Sequence, residues 1–86
     1  MSINVETTPN PNAMKFTSDS NFFEGDGSVS VMKGQTSDYT IMNELLALDG
    51  VDNVFGYQNF ITVNKGFNAD WDQLLPQIEA IFSKNE

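Results

Sequence analysis

The side chains able to do chemistry in this 86-residue sequence are almost all carboxylates: twelve Asp and Glu, with no histidine and no cysteine. The missing types remove the usual general base, the commonest metal ligand, thiolate nucleophiles and cysteine-held iron–sulfur clusters. Carboxylates alone can hold a hard cation or pass protons in pairs. For a cation, Asp19, Asn21, Glu24 and Asp26 offer oxygen ligands within one loop. Their spacing fails the calcium-loop pattern, because Phe23 stands where the third oxygen ligand belongs and the glycine and distal glutamate are misplaced. For proton transfer, pairs such as Asp49/Asp52 or Asp70/Asp72 could serve, but nothing in the sequence shows that they share a pocket, and Asp70 and Asp72 already have capping and dipole roles at a helix start. Thr36, Ser37 and Thr40 have no base to activate them. Gly25 and Gly27 form no phosphate cradle ahead of a helix. No enzyme site can be assembled from these residues, and none of them calls for a cofactor.

Four lysines and no arginine set against the acids give a net charge of -8. Phosphate backbones and anionic lipid surfaces are bound through clusters of lysine and arginine, so nucleic acid and membrane are excluded as partners. No apolar run approaches the roughly 18–20 residues that span a bilayer, and the first residues do not read as a signal peptide. The expectation is a cytoplasmic protein, monomeric or weakly dimeric, whose partners are other proteins.

The elements that would carry these groups follow from periodicity. Residues 3–6 alternate apolar and polar as a first strand, residues 13–17 as a second, and residues 28–32 as a third, ended by Gly34. The turn-rich, acidic residues 18–27 separate the last two. Ile41, Leu45 and Leu48, widened by Met42 and Leu46, predict a helix over residues 38–48, with Ser37 as N-cap and Gly50 at its stop. Residues 51–56 and the β-branched run 60–64 predict a hairpin, in which Gly56 marks a bulge or a close backbone approach. A final helix starts at Asp70, where Gln73 completes a capping box, and presents Trp71, Leu74, Leu75, Ile78, Ile81 and Phe82 as one apolar face. Pro76 inside it predicts a kinked start, or a regular helix that begins near Pro76. The short connections between residues 56 and 60 and between residues 16 and 28 argue for antiparallel neighbours. The chain is expected to be a single domain over residues 1–86, an α+β two-layer sandwich. About five mostly antiparallel strands would carry two helices on one face, in the order β-β-β-α-β-β-α.

The stretch from Thr7 to Phe16 is the least ordinary part of the chain. Pro9 and Pro11 fix their own φ and bias Thr8 and Asn10 toward extended geometry. Asn10 and Asn12 are suited to Asx-turns. The result is a stiff connection that places Met14 and Phe16 on one face of a strand and Ala13, Lys15 and Thr17 on the other. Such a segment serves either as a structural crossover or, with its amides exposed, as a recognition loop. Phe22 and Phe23 carry a similar ambiguity: one ring tucks onto the core, or both stand out as an aromatic pair for a partner.

Thr8-Pro9-Asn10-Pro11-Asn12-Ala13-Met14-Lys15-Phe16 closely resembles the signature of the Nfu/NifU N-terminal domain. That signature reads Thr-Pro-Asn-Pro-Asn, one variable residue, then Leu-Lys-Phe. The likeness continues through Gly50-Val51, Val54-Phe55, Phe60-Ile61-Thr62-Val63 and Lys65. It ends with Asp70-Trp71, Leu74, Pro76 and Ile78, so it covers about residues 6–82. Met14 replaces the family's usual leucine, and Ser37-Asp38-Tyr39-Thr40 stands where the first helix typically opens Ser-Pro-Leu-Ala. The resemblance implies a place in iron–sulfur cluster biogenesis. Full-length members carry a second domain whose Cys-x-x-Cys motif holds a cluster between two subunits and passes it to client proteins. These 86 residues contain no such motif and read as a stand-alone copy of the N-terminal domain, so the resemblance does not extend to carrying a cluster. It implies instead a non-enzymatic interaction module, with iron–sulfur carriers or client enzymes as partners. Thr8, Pro9, Asn10, Pro11, Asn12, Lys15, Phe22 and Phe23 are the candidate contact residues. The alternative is a weak metal-binding accessory that uses the surface carboxylates Asp19, Glu24 and Asp26.

Overall fold

A computed structural model describes residues 3–85 apart from Glu24 and Asp26. Its elements run β1 (Ile3–Thr7), β2 (Ala13–Ser18), β3 (Val29–Met32), α1 (Thr40–Leu46), β4 (Val51–Tyr57), β5 (Phe60–Lys65) and α2 (Trp71–Lys84). The five strands form one sheet in the order β1-β2-β5-β4-β3, and every neighbouring pair is antiparallel. The α+β architecture and the order of elements are those expected from the periodicity.

Alternation decides which side chains meet the helices. Phe16 faces Ile61, Met14 faces Val63, and Val31 faces Val54 across their ladders. These residues form one core with Ile41, Met42, Leu45 and Leu46 of α1 and Leu74, Ile78 and Phe82 of α2. Residues of the opposite parity, Lys15, Thr17, Phe55, Tyr57, Phe60 and Thr62, lie on the face without helices. A bulge at Asp52 lets Val51 and Val54 both turn inward.

Four expectations are corrected or narrowed. First, β2 and β3 are not neighbours; β3 is the far edge of the sheet, paired to β4. The connecting residues cross the end of the β4–β5 hairpin, where the Phe22 and Phe23 amides both donate to the Gln58 carbonyl, at 2.7 and 3.2 Å. Second, of the two readings expected at Gly56 the close approach holds and the bulge sits at Asp52: a Cβ at Gly56 would lie 2.2 Å from the Phe23 ring.

Third, α1 covers only Thr40–Leu46, and Ser37 is not its N-cap. Ser37 instead accepts the Tyr39 amide on its Oγ, while the Asn43 side chain accepts from Ser37 N and donates to Ser37 O. The side chain chosen for the cap is thus held in a local turn ahead of the helix. Fourth, α2 does not begin near Pro76. Asp70 Oδ1 accepts the Asp72 amide as N-cap, and the helix continues from Trp71 through Pro76 to Lys84. Core burial of Leu74, Ile78 and Phe82 offsets the one backbone bond that Pro76 cannot make.

The helices are joined at their solvent edge, where Lys84 pairs with Glu44 and Asn85 Nδ2 adds a bond to the same carboxylate. The Lys84 hydrogen bond, helped by Asn85, holds the Glu44 carboxyl below the usual carboxylate range.

Candidate docking surface

The register brings Thr7, Met14, Asn64, Lys65 and Val51 to one end of the sheet. The Pro–Asn loop, residues 47–50 and residues 66–70 therefore gather there. Within the Pro–Asn loop the hydrogen bonds close on themselves. The Thr8 hydroxyl reaches the carbonyls of Asn10 and Ala13, at 2.9 and 3.1 Å, and accepts the Asn10 amide. Asn10 Oδ1 accepts from Asn12 N at 2.9 Å, the expected Asx-turn, and Ala13 N donates to Asn10 O.

Two residues outside the loop then clamp it. Lys65 donates from its backbone to Asn12 O at 2.8 Å and from Nζ to Asn12 Oδ1 at 2.9 Å. Trp71 Nε1 donates to Pro11 O at 3.0 Å, with Lys65 Nζ 6.0 Å from the indole centroid. The periodicity of α2 placed Trp71 in its apolar face; the structure leaves it half-buried, and its polar edge holds the loop. Pro9, Asn10 and Pro11 remain exposed on top of this framework. The expected crossover is corrected: β1 and β2 are antiparallel neighbours, so the loop is their hairpin connection, and its clamped tip faces outward.

The other candidate residues divide. Phe23 is 2% exposed, edge-on to Tyr39 with ring centroids 4.9 Å apart, so it is not available to a partner. Phe22 is half-buried, 5.6 Å from Phe82. The exposed aromatic pair is therefore corrected: the space above hydrogen-only Gly56 admits the Phe23 ring. Lys15 lies on the helix-free face with Nζ 4.5 Å from the Phe60 centroid. Phe55 and Tyr57 flank Phe60, each at 6.1 Å, an aromatic row that β-strand alternation against Val54 and Val63 could have revealed. Glu24 and Asp26, two of the metal candidates, lie outside the described residues; Asp19 is exposed at the end of β2. Among the described residues no three His, Cys, Asp or Glu side chains come together as a metal site.

The family model for the N-terminal part of the scaffold protein Nfu/NifU matches residues 3–85. The chain belongs to the Nfu/NifU N-terminal family. This Nfu/NifU domain is 37% identical over 81 residues to conserved virulence factor C of Staphylococcus aureus, and 35% identical over 85 residues to a NifU-like protein of Schizosaccharomyces pombe. These matches cover 94% and 96% of the chain but 21% and 33% of the relatives, so the domain spans at most a third of these proteins. Among solved structures, the crystal structure of protein SAV1430 from S. aureus superposes with a TM-score of 0.83 at 38% identity, covering 95% of this chain and 99% of that one. A NifU-like protein from Saccharomyces cerevisiae superposes at 0.75 with 27% identity, covering 96% and 76%. Both share the fold. The family is one of scaffold and accessory domains, not of a known enzyme class. Among the described residues no helix is long and apolar enough to cross a membrane.

Proposed function

We propose that this Nfu/NifU domain is a non-enzymatic docking module, accessory to the assembly or delivery of iron–sulfur clusters, that contacts carriers or client enzymes through its Pro–Asn loop. The observation that carries this reading is the clamped loop. Its hydrogen bonds are satisfied internally and tied to β5 and α2, so Pro9, Asn10 and Pro11 meet a partner without an ordering cost. The cluster is the partner's cargo, since this chain supplies no thiolate to hold one.

Asn10→Ala with Asn12→Ala would not test the surface cleanly, because both side chains bond inside the loop. Pro9 is exposed and bonds to nothing through its ring. Pro9→Lys adds bulk and charge there at about 1 kcal/mol or less of stability, chiefly through the unfolded chain. Anaerobic affinity capture from source lysate, read by mass spectrometry, is expected to enrich cluster scaffolds, carriers or cluster-requiring enzymes with the wild-type domain and to lose them with Pro9→Lys. Capture of the same proteins in the same yield by both forms would sink the loop as the contact.

A further inference from the structure

An open cleft of about 720 Å³ lies between the turn after α1 and the start of α2, at the same end of the sheet as the Pro–Asn loop. Its floor is apolar: Gly50, Ala69 and Leu74 are in close contact, and a Cβ on Gly50 would lie 2.9 Å from the Ala69 Cβ. Its rim is polar, with the carboxylates of Asp49 and Asp70 and the amides of Gln73 and Gln77. Phe67 completes the lining, and at 88% exposure it is the most exposed large apolar side chain among the described residues.

None of the lining residues is cationic, and the four lysines of the chain are committed elsewhere. Lys15 sits over Phe60 and Lys65 holds Asn12. Lys33 bonds the carbonyls of Leu46 and Leu48 at the end of α1, and Lys84 pairs with Glu44. In a domain of net charge -8, no ammonium group among the described residues is therefore left to neutralise the cleft. A cavity edged by carboxylates, amide oxygens and one exposed ring is complementary to a planar cation. A guanidinium can pair with carboxylate, donate its remaining N–H groups to amide oxygens and stack on an aromatic face; a lysine ammonium matches fewer of these features. A divalent cation fits less well, because among the described residues no third Asp, Glu, His or Cys side chain joins the two carboxylates.

We infer that the cleft receives an arginine side chain carried on a basic segment of the partner protein, with Phe67 covering the guanidinium. This deepens the docking reading and rests on it: the loop supplies a rigid contact, and the cleft sets the partner's charge and register beside it.

The test is an NMR titration of the labelled domain with an acetylated, amidated Gly/Ser peptide carrying two arginines, against the same peptide with citrulline in their place. Saturable shifts at residues 49–50, 66–70 and 73–77 are expected with the arginine peptide only. Asp49→Asn and Phe67→Ala change exposed side chains and leave the amide spectrum folded; each is expected to weaken binding about three- to fivefold. Glu79→Gln removes the same charge from the opposite flank of α2 and is expected to leave the affinity within the error. Equal losses from Asp49→Asn and Glu79→Gln, shifts spread over the acidic surface, or no saturation at millimolar peptide would each overturn the cleft. Repeating the titration with Pro9→Lys separates the two ideas. Peptide binding that survives while lysate capture is lost supports both surfaces, and capture that depends on Pro9 with no peptide binding overturns only the cleft.

Discussion

Gly56 offers only hydrogen to the ring of Phe23, and this contact lets the ring pack against β4. The ring fills the space where a Cβ would stand, and the Phe22 and Phe23 amides are held on the Gln58 carbonyl at the end of the β4–β5 hairpin. Gly56→Ala forces the ring or the strand to move. Overpacking at a fully buried position costs about 1–3 kcal/mol. A domain of this size loses roughly 4–8 °C of Tm per kcal/mol, so thermal unfolding is expected to show a drop of at least several degrees. An unchanged Tm would mean that the ring does not pack under β4. Sequence alone marked Gly56 as a point of close approach or a bulge. It could not say which, because the answer is a side chain thirty-three positions earlier.

Among the elements, α2 does two jobs with two edges. Its inner stripe of Leu74, Ile78 and Phe82 covers the sheet, while Trp71 at its first turn reaches out to Pro11. Trp71→Phe keeps the apolar body and removes the Nε1–H donor. The expected cost is about 1 kcal/mol, the net worth of one such bond. Faster amide hydrogen exchange should accompany it at Asn12 and Ala13, whose N–H groups both bond to Asn10. If exchange at those amides is unaltered, the indole is not what holds the loop. The apolar stripe was legible from spacing alone, and so was the Asx-turn at Asn10. The clamp was not, since Lys65 and Trp71 lie over fifty residues away and no local pattern couples them to the loop. The helix ends were misread for a related reason. Ser37 has the right chemistry for a cap, but the Asn43 side chain holds it in a turn outside the helix.

At the scale of the molecule, charge is the dominant property. Most of the acids lie at the surface while the lysines are drawn into local pairs, so the domain repels itself and attracts cations. Added salt screens that repulsion within a Debye length of about 10 Å at 0.1 M. The Tm is therefore expected to rise between low and moderate sodium chloride in a calorimetric scan, while affinity for the arginine peptide falls over the same range. A Tm that falls with salt would show that the local pairs, such as Lys84 with Glu44, outweigh the repulsion between the remaining acids.

The sequence by itself determined the fold class, the element order, the shared face of Met14 and Phe16 and of Val29 and Val31, the stiffness of the Pro–Asn stretch and the family. Each of these rests on period, local sterics or a contiguous motif, which act over a few residues and are written in order along the chain. Only the tertiary structure decided that β3 is the far edge, that Phe23 is buried, that Lys65 and Trp71 clamp the loop, and that Asp49, Phe67 and Asp70 edge one cleft. These depend on which distant segments the core brings together, and a linear pattern of apolar and polar residues is compatible with several such arrangements until packing selects one.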